Sequence, residues 1–247
     1  METSLRFSAA EDLSPASWVV AGLSGFFETV TSVVPSGYGA YARIYHPAWL
    51  VEGDSRTPKT WREIAAENGR TAHREMQWYG IAGGYPSLDD DGYPLRDAQV
   101  DPTKRWLELP AMGTLPAEIA DPLLRILFGH TKSREGWFGV WEGFNLTSSQ
   151  TKPTSSFGPL ERRYLLFGAP LRAITASFSL PPLHQSANLW WPEDRAWCVA
   201  TEVDFMTTYI GGTEEAIRAI VESPHLESDR VEPSDRVSAD PLNAPVG

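Results

Sequence analysis

Cysteine is nearly absent from this chain. Cys198 is the sole one in 247 residues, which excludes an internal disulfide and any metal site built on several thiolates. Long apolar runs are missing as well. The most apolar stretch near the start, residues 18–34, is interrupted by Ser24, Glu28, Thr29, Thr31 and Ser32. It is too short and too polar to span a bilayer. No basic segment precedes it, so no signal peptide is expected and the protein is expected to be cytoplasmic. In that setting the sequon Asn145-Leu146-Thr147 carries no meaning. Positive charge is in deficit: 21 Lys and Arg face 32 Asp and Glu, a net charge of -11. Acidity of that size repels phosphate backbones, so neither nucleic acid nor a membrane surface is an expected partner.

Complete catalytic signatures are also lacking. Gly37-Tyr38-Gly39-Ala40-Tyr41-Ala42 fits a dinucleotide-binding pattern, but Pro47 ends the next segment before a long helix can form. His73-Arg74-Glu75 supplies half of a zinc-deaminase signature without the cysteine half. Asp89-Asp90-Asp91-Gly92 lacks the alternating ligands and closing Glu of a calcium loop. Gly211-Gly212 precedes a helix, but Glu214 and Glu215 occupy its first turn and would repel an anion. No cofactor and no metal site is expected.

What is present reads as an α+β fold. Val19, Leu23, Phe26, Val30 and Val33 recur at helical spacing behind Ser14-Pro15. Thr60-Trp61-Arg62-Glu63 is a capping box, predicting a helix that stops near Asn68-Gly69. Residues 114–128 predict another helix, interrupted or restarted at Pro122, and Thr213 caps a last one. Residues 38–46, 137–144, 163–167 and 196–203 read as strands. Helices and strands mix irregularly, which favours a mainly antiparallel sheet with several helices, in one domain over residues 1–222. Residues 86–102 read as a loop and residues 145–156 as a polar surface loop. Residues 223–247, charged and poor in large apolar side chains, read as a disordered acidic tail.

Strand alternation yields the candidate sites. In residues 196–205 the odd positions form an apolar face, while Glu202 and Asp204 share the other, roughly 6–7 Å apart. Such a pair can bind a cation or share acid–base work, or it can be a solvated strand end. Glu142 falls on the face of Phe138 and Val140, and His46 ends the apolar face of residues 38–46. If the strands are neighbours, His46, Glu142 and Glu202 converge as weak catalytic candidates.

Aromatic side chains are the compositional excess: 10 Trp, 8 Tyr and 10 Phe. Trp190-Trp191-Pro192-Glu193-Asp194-Arg195 places two indoles and a guanidinium at a turn. Adjacent strand residues face opposite ways, so one of Trp190 and Trp191 is expected at the surface, with Arg195 and Trp141 completing a binding patch.

Residues 186–204, containing Leu189-Trp190-Trp191-Pro192 and Asp194-Arg195-Ala196-Trp197-Cys198, resemble a bacterial protein family whose members are uncharacterised. The segments 41–47 and 137–143 share in that resemblance, which spans most of residues 1–222. It implies one coherent domain and transfers no activity. The expectation is therefore a non-enzymatic binding or regulatory protein that contacts a protein partner or small ligand through the aromatic patch. The alternative is a small-molecule hydrolase using His46, Glu142 and Glu202 in a Trp-lined cleft.

Overall fold

The computed structural model describes residues 7–25, 28–82, 106–144, 146, 153–159, 162–180 and 183–237. Along the chain its strands are β1 (Ser8–Ala9), β2 (Ala40–Tyr45), β3 (Ala48–Glu52), β4 (Ser55–Lys59), β5 (Trp106–Glu108) and β6 (Glu135–Trp141). There follow β7 (Ser156–Phe157), β8 (Tyr164–Pro170), β9 (Leu189–Pro192), β10 (Cys198–Ala200), β11 (Thr207–Gly212) and β12 (Ser228–Val231). The helices are α1 (Ser17–Gly22), α2 (Trp61–Glu67), α3 (Trp78–Ile81), α4 (Ala117–Phe128) and α5 (Glu214–Val221). The order across the large sheet is β1-β8-β6-β9-β10-β11-β2-β12, with β7 also on β8, and a small sheet runs β4-β3-β5. Every pairing among these strands is antiparallel. The chain is a single-domain, mainly antiparallel α+β fold.

Period-two alternation feeds two cores, one on each face of the large sheet. Ala42 and Ile44, Phe138 and Val140, Trp190, Val199 and Ile210 enter one core, covered by α4 and α5. Tyr41, Leu189, Trp191, Cys198 and Tyr209 enter the other, covered by α1 and the segment through Val34. Burying a large apolar side chain contributes about 1.5–3 kcal/mol, and here both members of each consecutive pair collect it. A sheet covered on both faces buries both sides of its central strands. That overturns the expectation that Trp190 or Trp191 is exposed: both are 0% accessible.

Local signals held where local bonds suffice. The Thr60 hydroxyl accepts from the Glu63 amide, and the Glu63 carboxylate accepts from the Thr60 amide at 2.7 Å. Helix α2 stops at Asn68, and Gly69 takes φ +64, the left-handed step that glycine accommodates. Thr213 caps α5 through the Ala216 amide. Helix α4 begins at Ala117 and runs on through Pro122 without the expected restart.

Four expectations are corrected. The helix read behind Ser14-Pro15 and onward through Val33 is only Ser17–Gly22, because Leu23 turns to extended dihedrals. Strand β6 ends at Trp141, so Glu142 leaves the sheet for a turn and lies exposed. Strand β10 is only Cys198–Ala200, and Val203 and Asp204 form a turn. Residues 223–237 are ordered rather than a free tail: β12 pairs with β2 over Ser228↔Ile44 to Val231↔Tyr41, and Arg236 bridges to Thr29. Leu226, Val231 and Val237 are buried in the cores, and the ion pairs Arg62–Asp229 and Arg230–Glu214 add to that anchoring. The loop at 86–102 with Asp89 to Asp91, residues 147–152 of the polar loop, and residues 238–247 lie outside the described residues.

Candidate functional site

The proposed catalytic trio does not assemble. No hydrogen bond or ion pair links any two of His46, Glu142 and Glu202. His46 follows β2 and is wholly buried. Its Nδ1–H donates to the Ala111 carbonyl at 2.7 Å, since a carbonyl can only accept. Its Nε2 therefore accepts from the Thr208 hydroxyl at 2.9 Å, and Thr208 accepts in turn from Thr201 at 2.7 Å. Burial pushes the imidazole down to about 4. With both nitrogens engaged, this ring has no lone pair to offer a substrate. Glu142 lies exposed in its turn.

Glu202 and Asp204 do share one side, and the cation between them is a side chain. Arg162 places Nε 2.8 Å from Glu202 and Nη2 2.7 Å from Asp204. Its guanidinium also lies over Trp141 at 5.0 Å, so Trp141 is a half-buried packing surface for Arg162. Burial dominates at Glu202, raising its carboxyl to about 7 against the pull of the Asp204 amide and Arg162. Of the aromatic patch, only Arg195 is exposed. It takes φ +56 and stacks over Trp18 at 5.5 Å, and its carbonyl accepts from the Tyr38 hydroxyl at 3.2 Å. Trp190 packs edge-on against Trp197, and Trp191 against Trp18. Neither indole can touch a partner. Cys198 is sealed in the core, where burial raises its thiol and keeps it inert.

A different cleft gathers unsatisfied chemistry. On β2 the alternation that sends Ala42 and Ile44 to the helices sends Arg43 the other way, between Tyr41 and Tyr45. Arg43 is 2% accessible. Its neighbours across the sheet are Tyr209 on β11 and Asp229 on β12. The guanidinium lies 4.8 Å from the Tyr45 ring, 5.6 Å from Trp61 and 5.8 Å from Tyr209. Such cation–π contacts replace part of the lost hydration. Its Nη1 donates to the Arg74 carbonyl at 3.0 Å, and its Nε has no hydrogen-bond partner among the described residues. No carboxylate there stands within ion-pair reach of it; Asp229 is engaged by Tyr45 and Arg62.

Arg43 lines a cavity of about 40 Å³ together with Trp61, Gln77, Trp78, Met112 and Thr207. Helix α2 brings Trp61, locked by its indole N–H on the His46 carbonyl at 2.7 Å. Helix α3 brings Trp78, edge-on to Trp61 at 5.5 Å. The Trp78 indole N–H is buried and, like Arg43 Nε, unpartnered among the described residues. Trp190 has an unpartnered N–H too, but among the described clefts it lines none. Buried donors without acceptors are costly and rare, and two of them, the Arg43 Nε–H and the Trp78 indole N–H, belong to residues that line this cavity.

Sequence reasoning missed Arg43. The usable signal was the odd-numbered face of its strand, Tyr41, Arg43, Tyr45: a cation framed by phenols inside an otherwise apolar segment. Among the described residues no group of three or more His, Cys, Asp or Glu stands together as a metal site, and no helix is long and apolar enough to cross a membrane.

No protein-family model matches the sequence, and neither the curated proteins nor the solved structures give a match.

Proposed function

We propose that this protein is a non-enzymatic, cytoplasmic binding protein that takes a small ligand into the cleft at Arg43. One observation carries the reading: a buried guanidinium whose Nε has no hydrogen-bond partner among the described residues lines a cavity walled by indoles. Small-ligand sites combine apolar walls with a few aimed polar groups, which is this composition. The hydrolase alternative loses its support with the base, because both His46 nitrogens are bonded to structural groups. The net charge of -11 argues against nucleic acid as the occupant.

The test is a thermal-shift survey of small metabolites on the full chain, repeated on Arg43→Gln and on Gln77→Ala. Gln77 lines the same cavity and is half-buried, so its loss leaves the fold intact. The expected result is a compound that raises the melting temperature of the wild type and loses that effect in both variants. A compound that stabilises all three equally binds elsewhere and overturns the assignment.

A further inference from the structure

The free edge of Arg43 specifies what it can hold. Nη1 is taken by the Arg74 carbonyl, so the edge left open is the one formed by Nε and Nη2. Elsewhere in this chain the same edge of another arginine is occupied. Arg56 donates from Nε and Nη2 to the two oxygens of Glu108, each at 3.0 Å, while its guanidinium lies over Trp49 at 3.9 Å. A carboxylate matches that fork with two parallel hydrogen bonds. The Arg43 site repeats the arrangement, a guanidinium over aromatic rings with its fork open, but with no carboxylate on it among the described residues.

Resting on the reading of the cleft as a ligand site, we infer that its ligand is a small monocarboxylate with a flat or short apolar body. The carboxylate sits on the Nε–Nη2 edge of Arg43, with the Trp78 indole N–H as a third donor. The cavity of about 40 Å³ has room for about three water-sized atoms, which suits a carboxylate group and excludes a sugar phosphate. The body extends past Trp61 and Met206 towards Met112, a large apolar side chain left 46% accessible at the mouth. A second negative charge is disfavoured. Asp204 lines the same cleft, and Asp229 stands opposite Arg43 on the next strand. A phosphate dianion would meet both, whereas one negative charge is matched by one guanidinium.

The test follows the indole N–H resonance of Trp78 in the isotope-labelled full chain, assigned by its loss in Trp78→Phe. Acetate, benzoate, benzamide and inorganic phosphate are titrated in turn. Benzoate is expected to move the resonance saturably, acetate more weakly, and benzamide and phosphate at best at much higher concentration. In Arg43→Gln the benzoate dissociation constant rises roughly ten- to a hundredfold, the range for one charge-assisted pair. Arg43 also anchors three rings, so Met112→Ala supplies a variant at an exposed position: benzoate binds several-fold more weakly there and still prevails over benzamide. If phosphate or benzamide matches or outdoes benzoate, the carboxylate class is wrong while the cleft remains a ligand site. If no probe moves the resonance, the class and the cleft reading both fall.

Discussion

Arg43 and Arg162 are two buried guanidinium groups in one chain, each laid over aromatic rings, and their surroundings differ in one respect. Arg162 is held by Glu202 at 2.8 Å and Asp204 at 2.7 Å. Arg43 has no carboxylate within reach among the described residues. At the first site the guanidinium is matched by two carboxylates, and these ion pairs tie Arg162 to the turn after β10. The second keeps an unmatched positive charge and two unused donors beside a cavity. The comparison teaches that a buried charge alone does not mark a binding site. What marks one is a buried charge whose counterpart is not found among the described residues.

The comparison breaks first by removing each arginine. Arg162→Met strands Glu202, whose side chain is 2% accessible, and should cost about 3–5 kcal/mol at pH 8 in urea denaturation. Arg43→Met removes an unpaired cation and should cost no more than about 1–2 kcal/mol, because it leaves no ion behind. Equal costs would mean that Arg43 has a counter-charge in solution.

The second prediction concerns pH. His46 is held down to about 4 from 6.5, so the unfolded chain binds more protons between those values. Its contribution is complete above pH 6.5 and is lost as pH falls through 4, on the order of 3 kcal/mol. Glu202 is raised to about 7 from 4.5, so the folded chain binds more protons there. Its contribution is complete below pH 4.5 and is lost as pH rises through 7. The two oppose each other between pH 4.5 and 6.5, and the wild type should be nearly flat in that window. Glu202→Gln should expose a stability that falls on acidification, and His46→Gln one that rises. Denaturation midpoints at pH 4.5, 5.5 and 6.5 decide it.

Smaller effects separate the scaffold of the Arg43 cleft from that of Arg162. Gly113 takes φ +72, and a Cβ there would run into the Val203 carbonyl. Gly113→Ala should cost about 1–3 kcal/mol and disturb the turn that carries Met112 to the mouth and the Ala111 carbonyl to His46. Thr60→Ala removes the cap of α2 and should cost about 1 kcal/mol, and by loosening Trp61 it should weaken binding at Arg43. Unchanged benzoate titrations in Thr60→Ala would detach α2 from the site.

How much of this was legible depended on the range of the interactions. The cap at Thr60 and Glu63 is closed by atoms three residues apart, so the sequence carries it whole. The alternation on β2 and β9 is equally local, and it correctly sent Trp190 and Trp191 to opposite sides. What covers those sides is not local: α4 and α5 come from residues 117–128 and 214–221, and the other cover from residues before 35. Hence one indole was expected at the surface and neither is there. The segment Ser-Asp-Arg-Val at 228–231 looks like a tail because its partners, Tyr45, Arg62 and Glu214, are distant in the chain. Arg43 escaped notice likewise, since its rings come from residues 45, 61 and 209. The pairing of Glu202 with Asp204 was visible, but the cation that joins them, Arg162, was not.

The doubly covered sheet has a further consequence for how the sequence can change. Trp190 and Trp191 share a peptide bond and almost nothing else, since each answers to a different set of packing neighbours. Alternate positions along β2, β6, β8, β9 and β10 therefore belong to two separate texts interleaved in one line. Substitutions on the α4–α5 side and on the α1 side meet different packing neighbours, and those that lie far apart without shared partners combine additively. One layer can be rewritten while the other is held, with the backbone hydrogen bonds as the common page.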